Sequence, residues 1–133
     1  MNAFIVQLEN RPGELARVTA AIGSRGINIT SISGATSGET GAIAILSNDE
    51  SGTRRALQES NCSFRELEVV PDSMEDRPGA LAEATQRLAD AGVNIESVIP
   101  IGMAGGRVTV GFVTAQAQEA RNALGEKVTP SSR

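Results

Sequence analysis

The sequence has no histidine, no tyrosine and no tryptophan, and its aromatic content is three phenylalanines. Without histidine the usual general base of nucleophilic and acid–base catalysis is missing, and nothing is present to activate the single cysteine, Cys62. Cys62 reads instead as a small buried hydrophobe, and one cysteine cannot close an internal disulfide. So few aromatic rings leave almost nothing on which nucleobases could stack. Positive charge is short as well: eleven arginines and one lysine are scattered along the chain, the net charge is −4 and the pI is near 4.9. That balance argues against nucleic acid as a partner. No apolar run approaches the roughly 20 residues of a membrane helix. The first residues show no basic-then-apolar leader, and the expected location is cytoplasmic.

What the chain does contain is one stretch of 24 residues written twice, Glu9 to Ile32 and Glu75 to Val98, offset by 66 residues. Arg-Pro-Gly, Leu15/Leu81, Ala16/Ala82, Thr19/Thr85, Gly26/Gly92, Asn28-Ile29/Asn94-Ile95 and Ser31/Ser97 recur at identical spacing. Two small units are expected, 1–69 and 70–133.

Each copy reads as loop, helix, glycine stop and strand. Pro12 and Pro78 suit a helix start, because proline lacks the N–H that the first turn leaves unpaired. Gly13 and Gly79 would let another group approach the N–H groups of that helix end, where the dipole favours an anion. Leu15, Val18, Thr19 and Ile22, and likewise Leu81, Ala84, Thr85 and Leu88, have the spacing of one buried helical face. Gly26 and Gly92 stop the helices, and β-branched runs follow.

In chain order, 2–8 is expected as a strand, 12–25 as a helix, 28–35 and 42–47 as a hairpin turning at Ser37–Gly41, about 50–59 as a helix capped by Asn48 or Asp49, and 63–70 as a strand. Only four residues separate Val70 from Glu75. The last strand of the first copy should therefore run on into the first strand of the second, with Pro71 at a bend or an edge. Helix 78–91, strand 94–101, a turn over Gly102–Gly106, strand 107–114 and a helix ending at Gly125 complete the second copy. Segment 126–133 has one apolar residue, Val128, and is weak as a strand. The fold class is α+β: two ferredoxin-like βαββαβ units with antiparallel sheets and helices packed on one face.

A unit of this order, with Asn/Asp-Arg-Pro-Gly-x-Leu opening the first helix and Gly-Ile/Val-Asn-Ile opening the second strand, resembles the ACT domain. The likeness extends over nearly the whole chain, twice, as a tandem without a catalytic domain. It implies a regulatory module that binds a small ligand, an amino acid, between two paired units and acts on a metabolic enzyme or a transcription regulator. The matching positions are Asn10, Arg11, Pro12, Gly13, Glu14 and Leu15 facing Asn94 and Ile95, and Asp76, Arg77, Pro78, Gly79, Ala80 and Leu81 facing Asn28 and Ile29. Backbone N–H groups after Gly13 or Gly79 would hold an α-carboxylate, and Asn10, Asn28, Asn94 or Asp76 would accept from an α-ammonium.

Plainer roles stand beside each of these. Pro-Gly can serve only to start a helix, Asn28 and Asn94 can satisfy loop backbone, and Ile29 and Ile95 can belong to the core. The two sites should differ, since Asp76 replaces Asn10 and Ala80 replaces Glu14, and the Asn10 loop is the preferred one. Self-association to a homodimer is expected, because a weak last strand leaves an edge open. The alternative class is a protein-interaction module for docking or oligomerisation with no small ligand. Catalysis is disfavoured: acylphosphatases share the order of elements, but their loop pattern is missing. No catalytic residue, metal site or cofactor is expected.

Overall fold

The computed structural model describes residues 1–125. Its elements run β1 Asn2–Glu9, α1 Glu14–Gly23, β2 Ile29–Ser37, β3 Thr40–Ser47, α2 Glu50–Glu59, β4 Phe64–Glu75, α3 Ala80–Asp90, β5 Ser97–Ala104, β6 Arg107–Thr114 and α4 Ala117–Ala123. The chain divides into two compact units, Met1–Leu67 and one that begins at Glu68, so the division falls inside β4. The expected run-on of one strand into the next is therefore a single strand of 12 residues. The expected last segment, 126–133, lies outside the described residues.

In the first unit the strands lie in the order β2-β3-β1-β4, with β3 antiparallel to both β1 and β2. Alternation along β1 turns Phe4, Val6 and Leu8 to one face, and register places Val6 and Gly34 on either side of Ile43. On that face Val18 and Ile22 of α1 and Ala56 and Leu57 of α2 close the core. Phe64 packs against it, its ring 6.1 Å from that of Phe4 and tilted. Asp49 caps α2 by accepting the N–H of Gly52 at 2.9 Å, which removes one orphan donor of the first turn.

The second unit repeats the arrangement in the order β4-β6-β5, all antiparallel. Val70, Met74 and Phe112 face Ala84 and Leu88 of α3 and Ala120 and Leu124 of α4. The N–H of Asp76 donates to the Gly106 carbonyl, so the even-numbered residues of this part of β4 bond toward β6 and the odd-numbered ones point away. Pro71 is odd. Its missing N–H costs no ladder bond to β6, which explains a proline inside a paired strand. Next along that edge, the Ser73 carbonyl accepts from the Arg107 guanidinium at 3.1 Å.

Several boundaries differ from the expectation for identifiable reasons. Both first helices start two residues later than proline suggested, at Glu14 and Ala80. The second hairpin turn is shorter than Gly102–Gly106: Gly102, Met103 and Ala104 pair with β6, and the turn is the two residues Gly105 and Gly106, both left-handed at φ 60° and 77°. That matches the demand of a tight two-residue hairpin. β2 and β5 begin at Ile29 and Ser97, after the two asparagines. The buried helical stripe is also turned by one position, to Glu14, Val18 and Ile22 and to Ala80, Ala84 and Leu88. Leu15 and Leu81, expected inside, are each 47% exposed.

Candidate functional site

The two Arg-Pro-Gly loops share one backbone geometry. Gly13 stands at φ 90°, ψ −12° and Gly79 at φ 89°, ψ −13°, values that belong to the second central residue of a type II turn with proline before it. The turn closes by the Glu14 N–H to the Arg11 carbonyl at 3.4 Å and the Ala80 N–H to the Arg77 carbonyl at 3.3 Å. Glycine is needed here for its left-handed backbone. A Cβ on Gly13 would meet no other atom of the chain within 4 Å. The Gly13 and Gly79 carbonyls accept the first helical bonds, from Arg17 and Glu83, each at 2.9 Å. No side chain caps either helix, which leaves the first-turn N–H groups beyond Glu14 and Ala80 for something else to satisfy.

Around this common frame the side chains differ. In the first unit Asn10 fastens the loop to the β2–β3 turn, its N–H to the Glu39 carbonyl at 2.8 Å and its Nδ2 to the Gly38 carbonyl at 2.9 Å. Its Oδ1 is left as an acceptor. Arg11 pairs with Glu9 at 2.8 Å and with Glu14 at 3.3 Å. Glu14 turns inward, and its carboxylate takes the Glu9 N–H at 3.3 Å and the Arg17 guanidinium at 3.4 Å. The Arg17 bond, helped by the Glu9 N–H and by Arg11, holds the Glu14 carboxyl below its ordinary pKa against the opposing effect of burial.

A cleft of about 280 Å³ opens beside this loop, floored by Leu8, Ile43 and Gly34–Thr36 and walled by Asn10, Arg11, Glu14 and Leu15. Gly34 sits where a Cβ would come within 2.5 Å of the Ala42 carbonyl oxygen. The tight β2–β3 packing at this floor admits no side chain there.

In the second unit Asp76 repeats the backbone bond, to the Gly106 carbonyl at 2.9 Å, but its carboxylate has no N–H to offer the turn. Arg77 is held by Glu75 and Glu83, both at 3.0 Å, and by the Pro78 carbonyl at 3.2 Å. The Arg77 guanidinium in turn lowers the Glu83 carboxyl from its usual range. Ala80, buried, stands where the first unit has Glu14.

The two asparagines are built alike. Asn28 exchanges backbone bonds with Asn48, donating its N–H to Oδ1 at 3.0 Å and accepting the Asn48 N–H at 3.1 Å. Asn94 donates its N–H to Oε1 of Gln116 at 2.9 Å and accepts from the Thr114 hydroxyl at 2.8 Å, while its own Nδ2 reaches Glu96 at 3.3 Å. Ile29 and Ile95 pack partly buried against their cores.

Within the first unit the loop and the asparagine do not come together. Asn28 precedes β2, and the loop is tied to the turn that follows it. Nine residues of strand separate them, roughly 30 Å at about 3.3 Å per residue.

A sequence model described as ACT domain matches residues 3–59 and 69–99. No curated protein matches the sequence. Among solved structures, a protein from Bacteroides thetaiotaomicron superposes with a TM-score of 0.76 at 24% identity, covering 94% of this chain and 86% of its own. The regulatory subunit of aspartate kinase from Thermus thermophilus, in its ligand-free form, gives 0.62 at 20% identity over 96% of this chain and 91% of that one. The corresponding subunit from Thermus flavus gives 0.61 at 21% over 94% and 91%. At these identities the agreement is one of fold.

Proposed function

Because this chain belongs to the ACT domain family, whose sequence model covers more than half of its length, we propose that it is a non-catalytic regulatory protein that binds a free amino acid. Its candidate contacts are the two Arg-Pro-Gly loops, Asn10–Leu15 and Asp76–Leu81, and the residues that lead into the second strands, Asn28 with Ile29 and Asn94 with Ile95.

The observation that supports this most is the cleft of about 280 Å³ beside the Asn10 loop, walled by Asn10, Arg11, Glu14 and Leu15. A ligand seated there cannot also touch Asn28 of the same unit, a full strand length away. The uncapped helix start supplies donors for an α-carboxylate, and Oδ1 of Asn10 supplies an acceptor for an α-ammonium. The Asn10 loop is preferred over the Asp76 loop: the Glu14 charge there is engaged by Arg11 and Arg17, whereas Asp76 adds a carboxylate beside the acid end of the ligand.

Binding shifts a population by the ligand's difference in affinity between two states of the protein, and that shift is what a partner reads. Two similar folds are regulatory subunits of aspartate kinase. They favour a metabolic enzyme as that partner over a transcription regulator. The protein acts in the cytoplasm and pairs with a second copy of itself. Among the described residues no helix is long and apolar enough to cross a membrane.

Thermal unfolding against a panel of free amino acids tests the reading, since a ligand at one hundred times its Kd adds about 2.7 kcal/mol. A shift for one or a few amino acids, lost in Asn10→Ala and less affected by Asp76→Ala, is expected. A flat panel at millimolar ligand, repeated by calorimetry, would leave the docking module as the function.

A further inference from the structure

We propose that Glu14 is an internal occupant of a carboxylate seat and that, by filling it, this residue makes the cleft of the first unit refuse acidic ligands. The proposal rests on the reading of that loop as a ligand mouth. One backbone N–H, from Glu9, and two guanidinium groups, from Arg11 and Arg17, converge on a side chain that is 9% exposed. Charged donors on a carboxylate give the strongest class of hydrogen bond, and this is the set a free carboxylate would seek.

The helix does not need an acid there. At the equivalent position α3 buries Ala80 and keeps the same turn, the same first helical bond and the same buried stripe. What Glu14 adds is charge. It satisfies the β1 N–H that points away from β3 and sets a negative charge against both arginines beside a cleft whose rim already carries Glu9. A second acid entering the cleft would meet two carboxylates, with each arginine already engaged. An amino acid with a neutral side chain keeps its α-carboxylate at the helix start and brings no second acid into the cleft, and an apolar side chain can lie along Leu8, Leu15 and Ile43.

Glu14→Ala empties the seat, and acetate is the probe. Sodium acetate should raise the melting temperature of Glu14→Ala clearly more than equimolar sodium chloride does. Wild type and Glu14→Gln should show no difference between the two salts. The variant should also bind aspartate relative to a neutral amino acid about tenfold better than wild type does.

Equal effects of acetate and chloride on Glu14→Ala would overturn the seat while leaving the ligand reading intact. A flat amino-acid panel with acetate-specific rescue would do the reverse. If Glu14→Ala does not fold, ¹⁵N spectra of the wild type decide. The Glu9 amide must follow the Glu14 carboxyl through its titration, and an amide that does not move overturns the proposal.

Discussion

Oδ1 of Asn48 accepts the backbone N–H of Asn28 at 3.0 Å, and the Asn48 N–H returns the bond to the Asn28 carbonyl at 3.1 Å. The pair holds the residue before β2 by its backbone and leaves its carboxamide exposed, without a partner among the described residues. On the proposed function, structure falls to Asn48 and recognition to Asn28. Asn48→Ala should cost about 1 kcal/mol of stability, the usual value of one such bond. Asn28→Ala should stay within about 0.5 kcal/mol, as exposed substitutions do, yet weaken ligand binding. Urea unfolding of both variants alongside amino-acid titration checks the split, and a large stability loss in Asn28→Ala would contradict it.

The type II turn makes a separate demand. With Gly13 at φ 90° and open space around it, an alanine there meets no clash and only the backbone penalty of the left-handed region. Gly13→Ala should destabilise by about 1–2 kcal/mol, and Gly13→Asn by less, because asparagine visits that region more readily. Denaturant midpoints of the two variants give the comparison. Equal losses would point to a steric cause.

Much of this fold was legible because local chemistry and tertiary need agree. The duplicated motif, the strand running through Pro71, the Asp49 cap and the alternation Val108, Val110, Phe112 all appear where their residue types suggest. Glu14 did not. Leu15, Val18, Thr19 and Ile22 form a credible apolar stripe, and a charged residue is rejected as a core position unless its partners are known. Those partners are Arg11 and Arg17, three residues away on either side, which is the spacing at which helical neighbours meet. That flanking pair was the available signal. The second hairpin departs from expectation because five consecutive small or flexible residues look like one turn, whereas pairing partners on β6 absorb three of them.

Acid should weaken the first unit in a predictable window. Glu66 on β4 receives Nε and a terminal nitrogen of Arg54 at 2.7 and 2.8 Å and Nδ2 of Asn2 at 2.8 Å. The Arg54 bonds, more than the Asn2 bond, hold its carboxyl below the ordinary range despite partial burial. A depressed folded-state pKa stabilises above the unfolded value, about 4.3 for glutamate, and that stability is lost as pH falls through the folded value. Stability of the wild type should therefore drop on acidification below about pH 4.5, and Glu66→Gln should show a shallower drop there. Denaturant titrations at stepped pH measure both slopes, and identical slopes would remove Glu66 from the account.

The floor of the cleft supplies the last test, because three strand glycines differ in what surrounds them. A Cβ on Gly34 would come within 2.5 Å of the Ala42 carbonyl oxygen and 2.9 Å of the Ile43 Cα, which are main-chain atoms of the paired strand and cannot swing aside. On Gly111 it would meet Val69 Cγ1 at 2.5 Å and Ile101 Cδ1 at 2.9 Å, side-chain atoms rather than main chain, of which the Ile101 end can change rotamer. On Gly102 it would meet nothing within 4 Å. Overpacking of this kind costs about 1–3 kcal/mol. Gly34→Ala should therefore lie at the upper end, Gly111→Ala below it, and Gly102→Ala near zero. Because β2 must part from β3 to admit the methyl group, Gly34→Ala should also lower ligand affinity, while Gly102→Ala leaves it unchanged. Thermal unfolding with and without the bound amino acid orders the three variants, and a Gly34→Ala protein as stable as Gly102→Ala would show that the two strands are not packed as tightly as their register implies.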